Sequence, residues 1–103
     1  METQLPLPNN LADLLAYHPD KLQTQVIADK DAAKIILLSL AGGQVLKTHT
    51  APVDVLLVGL EGKAQLKIGE RTILLQNRQV VRIPALEPHS LTALRNFKML
   101  LIK

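Results

Sequence analysis

From Asp20 onward, short apolar runs are separated by turn-forming residues at intervals of about eight to twelve positions, the pattern of an all-β sandwich or barrel. Strands are expected over residues 24–28, 33–40, 45–47, 53–60, 64–68, 72–75, 79–83, 90–94 and 98–102. Between them lie Asp29 and Asp31, Gly42 and Gly43, Glu61 and Gly62, Gly69 and Glu70, Asn77 and Arg78, the stretch from Pro84 to Pro88, and Arg95 and Asn96. These linkers carry Gly, Asn, Asp or Pro, which tolerate turn dihedrals. Residues 65–69 alternate polar and apolar at period two, and residues 71–76 are too short for a helix between their turns. The run 53–60 is apolar almost throughout, as in a strand covered on both faces.

The first twenty residues differ. Asn9 or Asn10 can cap a helix, and Leu11, Leu14, Leu15 and His18 follow at the i, i+3, i+4, i+7 spacing of one helical face before Pro19 ends it. A short helix is expected there, packed on the outside of the β domain, after a tail extended by Pro6 and Pro8. The organisation is therefore a tail and short helix over residues 1–20 and one β-barrel domain over residues 21–103, without internal repeats.

Composition narrows the chemistry. At 103 residues the chain is one domain, and at 48% hydrophobic with mean hydropathy +0.17 it is too apolar to stay disordered. The apolar share is 21 Leu, 7 Val and 7 Ile against one Tyr (Tyr17) and one Phe (Phe97), so the core is aliphatic. Two rings give no stacking platform for nucleobases or sugars and no cage for a quaternary cation. Without cysteine there is no disulfide, thiolate metal site or cysteine nucleophile. The amino terminus has Glu2 where a secretory signal has positive charge and prolines where it has its apolar run, so a cytoplasmic protein is expected; no apolar run approaches the roughly 20 residues of a membrane helix. The net charge of +3 is uneven, with eight of the 12 Lys and Arg from Gly62 onward. Lys63, Lys67, Arg71, Arg78 and Arg82 are read as solvent-facing strand positions that suppress edge pairing, not as a nucleic-acid surface.

The three histidines are the candidates for acid–base or metal chemistry. His18 sits at a helix end and is read as capping or surface. His49 and His89 fall in two spacings. Gly43 is followed at set intervals by His49, Ala51, Val55 and Gly62, and Arg78 by Pro84, Leu86, His89 and Ala93. These are the spacings of the two cupin motifs, whose letters are Gly, His, His, Glu, Gly and Gly, Pro, Gly, His, Asn. Over residues 33–102 the chain thus resembles a small single-domain cupin, with both spacings kept and no insertion. The resemblance implies a double-stranded β-helix, or jelly-roll barrel, of two antiparallel sheets with ligand-binding residues in its mouth.

It also implies a metal site that has lost half its donors. The family's four ligand positions are His49, Ala51, Val55 and His89 here, so only His49 and His89 could hold an ion. With water completing the sphere, that ion would be a transition metal such as zinc, nickel or iron. Alternation that takes His49 and Ala51 inward also takes Val53, Val55 and Leu57 inward, and Asp54 outward. The expected function is binding of a small molecule in the barrel mouth near His49, His89, Val55 and Leu57. One alternative is a cupin metalloenzyme, a dioxygenase or isomerase, that uses His49 and His89. Another is a dimeric structural or regulatory module without ligand. A homodimer is expected, with no nucleic-acid or membrane partner.

Overall fold

The computed structural model describes residues 8–31 and 33–103; the tail expected over the first residues lies, up to Leu7, outside the described residues. Nine strands form in chain order: β1 (Gln23–Lys30), β2 (Ala33–Leu40), β3 (Val45–His49), β4 (Val55–Glu61), β5 (Lys63–Ile68), β6 (Arg71–Gln76), β7 (Val80–Ile83), β8 (His89–Ala93) and β9 (Phe97–Ile102). They make a five-stranded sheet in the order β1-β2-β9-β4-β7 and a four-stranded sheet in the order β3-β8-β5-β6, with every pair antiparallel. Apart from the β1–β2 and β5–β6 hairpins, consecutive strands cross between the sheets, so the fold is the expected two-sheet jelly roll. Among the described residues no helix is long and apolar enough to cross a membrane.

Alternation places the core. Leu38 and Leu40 of β2, Val55 and Leu57 of β4, and Phe97 and Met99 of β9 face Leu66 of β5, Leu75 of β6 and Leu91 of β8, all buried. Phe97 is fully buried and is the largest side chain there, so the core is aliphatic around a single ring. Burying each such side chain contributes about 1.5–3 kcal/mol. The chain passes from β4 to β5 through Gly62, at φ +83°; a side chain there would put its Cβ 1.8 Å from the Asn96 carbonyl oxygen. Only glycine fits both the dihedral and the approach.

Two expectations are corrected. The helix over residues 11–18 is a single 3₁₀ turn, Leu11–Leu14, and the Asn10 side chain makes no capping bond. The backbone carbonyls of this segment are taken from outside it. Lys98 Nζ donates to Ala12 O, Ser39 Oγ to Leu15 O at 2.8 Å, and Gln44 Nε2 to His18 O at 2.8 Å. A carbonyl bonded by a sheet side chain has no need of an amide four residues on, so the segment lies as a strap on the outer face of the five-stranded sheet. Tyr17 completes it by donating its hydroxyl to Glu61 Oε2 at 2.5 Å, while Lys98 Nζ stands 4.7 Å from the Tyr17 ring centroid. The second correction is Val53. The chain leaves the sheet after His49 and re-enters at Val55, so Val53 sits in a bend, 48% exposed, and does not continue the inward series.

Candidate functional site in the barrel mouth

The four-stranded sheet ends at the mouth in one cross-strand row. His49 of β3 pairs with His89 of β8, His89 with Ile68 of β5, and Ile68 with Arg71 of β6. Partners in register share a face, and the next inward row along, Leu46, Leu91, Leu66 and Ile73, belongs to or packs on the core. A bulge in β3 between Leu46 and His49 sets His49 into this row.

The two imidazoles touch, with ring centroids 4.2 Å apart and planes at 61°, in an edge-to-face arrangement. His89 is buried at 4% exposure and His49 is open to solvent. Each ring is fixed by the backbone carbonyl two residues before it, with Nδ1 2.8 Å from Lys47 O in His49 and 2.9 Å from Glu87 O in His89. A carbonyl oxygen only accepts, so in the uncharged ring the hydrogen is on Nδ1 and the Nε2 lone pair is left free. The pair therefore presents two acceptors side by side.

The same arrangement orients metal-bound histidines, which raises the question of an ion. The family's other two ligand positions are Ala51 and Val55, which have no donor atoms. Among the described residues no third His, Cys, Asp or Glu joins the pair. A resident catalytic ion takes about three protein ligands. The donor set present does not fit one.

Beside the pair, a cavity of about 420 Å³ opens between the sheets. Its walls are Ile68, Ile73, Val81, Pro84 and Ala85, with Arg71, Arg82 and Glu87 as its charged groups. None of the four expected ligand contacts lines the cavity: Val55 and Leu57 are both 2% exposed and packed in the core, and His49 and His89 stand outside its lining, with His89 paired in register to the wall residue Ile68. Arg71 is exposed, as expected, and also lines the cavity. Alternation back from Leu75 and Ile73, both turned to the core, brings Arg71 to the same face, and that signal was present in the sequence. The two-residue turn at Gly69, with φ +59°, fixes the register that sets Arg71 opposite Ile68.

The loop over the mouth is tied down by Asp54. Its Oδ1 accepts the Ala85 amide at 2.8 Å and its Oδ2 the Arg82 guanidinium at 2.6 Å. The amide bond, and then the guanidinium, hold its carboxyl below the ordinary carboxylate value. Leu86 N donates to Ala51 O at 2.8 Å, which joins the two motif loops. The backbone also keeps the motif where the side chains have departed from it. Gly43 and Gly62 have φ of +91° and +83°; Arg78 and Leu86, where the second motif has glycine, have φ of +73° and +70° and are the non-glycine residues at positive φ among those described.

Comparison with known proteins bears on the fold. No protein-family model matches the sequence, and no curated protein matches it. Solved structures do. A cupin superfamily protein from Desulfitobacterium hafniense is 28% identical with a TM-score of 0.88, covering 100% of this chain and 93% of that one. A conserved protein of unknown function from Streptococcus pyogenes is 26% identical with a TM-score of 0.89, over 99% of this chain and 88% of that one. An RmlC-like cupin from Desulfovibrio desulfuricans, 21% identical with a TM-score of 0.82 over 93% of both chains, shares the fold. Two motif spacings, two crossing sheets and these likenesses converge, and the chain is a small cupin domain.

Proposed function

We propose that the protein is a small-molecule-binding domain whose ligand sits in the barrel mouth, against the His49–His89 pair and the adjoining cavity. The observation that carries this reading is the adjacency of the two. Ile68 is both the register partner of His89 and a wall of the 420 Å³ cavity. That volume is within the roughly 300–1,000 Å³ of small-ligand sites, and its apolar walls with a few convergent polar groups are the usual composition of one. Ile68, Ile73 and Val81 would grip an aliphatic body by burial. The free Nε2 atoms would accept from a hydroxyl or amide and fix its orientation. Recognition needs no third metal ligand, and for this reason binding is preferred to metalloenzyme chemistry.

The test is methyl NMR of the full-length protein against a panel of small aliphatic alcohols, amides and acids. Shifts confined to the Ile68, Ile73 and Val81 methyls, weakened by His89→Gln, are expected. Shifts centred on outward-facing Leu56 and Leu100, or on no methyl at all, would overturn the reading.

A further inference from the structure

From the charge at the far end of the mouth row, we infer that the ligand is an organic monocarboxylate with a short aliphatic body, its carboxylate held by Arg71. This rests on the mouth-binding reading and gives it a chemical class.

Arg71 is the only cation in a row otherwise made of two histidines and an isoleucine. Guanidinium is charged at every accessible pH and offers five donors in a planar fork matched to a carboxylate. The other arginine of the cavity is already engaged, since Arg82 is bound to Asp54 at 2.6 Å. That is the one ion pair among the described residues, so Arg71 faces the cavity with no carboxylate within pairing distance there. Glu87 is nearby but turned to the β5–β6 turn, where its Oε1 would lie 3.0 Å from a Cβ built on Gly69.

The row also sets the ligand's shape. From β6 to β8 is two strand spacings, on the order of 10 Å. Ile68 lies between Arg71 and His89, so the ligand is charged at the Arg71 end and apolar over Ile68. A hydroxyl at its far end, where the ligand carries one, would donate to the free imidazole acceptors. An inward charge on an edge strand can instead serve only to block pairing with another chain. That role predicts no preference among ligands, and this difference decides the matter.

Hexanoate and hexanamide have the same shape and differ in charge. In NMR titrations of the wild-type protein, hexanoate is expected to bind at least about tenfold more tightly than hexanamide, with both mapped to Ile68, Ile73 and Val81. In Arg71→Met the two affinities become equal through loss of hexanoate binding alone, and Arg71→Lys falls between. Glu87→Gln, which removes a neighbouring negative charge, tightens hexanoate and leaves hexanamide unchanged. Equal wild-type affinities at the mouth would refute the carboxylate class and leave mouth binding standing. Failure of both probes to shift those three methyls would remove mouth binding as well. Arg71 is an exposed edge position, so its variants are expected to fold, which a wild-type circular dichroism spectrum and melting temperature would establish.

Discussion

Two polar rows cross the sheets of this barrel, and they are treated in opposite ways. On the outer face of the five-stranded sheet, Ser39 pairs with Lys98 and Lys98 with Glu61. Each of the three is spent on the amino-terminal strap, through Leu15 O, Ala12 O and the Tyr17 hydroxyl. At the mouth of the four-stranded sheet, His49, His89 and Arg71 leave two ring acceptors and a guanidinium uncommitted among the described residues. A polar group satisfied inside the fold stabilises it; one held in place and left open is available to something else. By that criterion the outer row is structural and the inner row is the site.

The largest test of the contrast is Lys98→Ala. Lys98 is only 7% exposed, and truncation removes its buried stem and leaves the Ala12 carbonyl without its donor. Three lost methylenes at about 0.8 kcal/mol each and an unsatisfied carbonyl at about 1–3 kcal/mol give a loss of roughly 3–5 kcal/mol in urea unfolding. His49→Ala, in the exposed member of the inner row, should cost under about 1 kcal/mol. Equal losses from the two would erase the distinction.

The strap and the mouth loop should also fail at opposite ends of the pH scale. Burial, and then the hydrogen bond and negative charge of Glu61, push the Tyr17 hydroxyl above its usual 10.0. A folded value raised above the unfolded one gives stability that is complete below about pH 10 and is lost as the pH rises through the folded value. Alkali therefore loosens the strap, and Tyr17→Phe should flatten the alkaline limb of a stability–pH curve. At the mouth Asp54 is lowered from 3.8, so its contribution is present above that value and is lost as the pH falls through the folded one. Acid therefore frees Ala85 and Arg82 first, which amide exchange at Ala85 would register. An Asp54→Asn variant that kept the wild-type exchange profile through pH 4 would contradict this.

How far the sequence could be read follows the same division. Alternation and turn residues located all nine strands, because each strand's burial is decided within its own few residues. The strap could not be found this way. Leu11, Leu14, Leu15 and His18 keep a helical spacing, but Lys98, Ser39 and Gln44, distant in sequence, take carbonyls of that segment. His49 and His89 were legible as a pair because the cupin spacing ties together two strands that are far apart in the chain. Val55 and Leu57 were rightly turned inward, but the depth at which core ends and cavity begins is set by how the two sheets splay, which one strand's pattern does not contain. Arg71 was rightly read as exposed, but its parity with Ile73 and Leu75, which turns it to the cavity side of β6, was not used.

The smallest expected effect separates backbone from site. Arg78 and Leu86 both hold positive φ where the cupin motif has glycine. Left-handed backbone costs an L-residue about 1–2 kcal/mol, and glycine returns part of that as unfolded-chain entropy. Arg78→Gly and Leu86→Gly should therefore each stabilise by roughly 0.5–1 kcal/mol. The two positions differ in where they sit. Arg78 lies in the turn between β6 and β7, its amide donating to Gly59 O at 2.8 Å, whereas Leu86 stands 70% exposed on the loop that covers the mouth. Strain kept under an exposed apolar side chain is unexplained by packing and is commonly found where a ligand is met. Leu86→Gly should thus weaken hexanoate binding a fewfold while raising the melting temperature, and Arg78→Gly should raise the melting temperature alone. If both variants leave binding untouched, Leu86 carries backbone strain and nothing more, and the site ends at the row from His49 to Arg71.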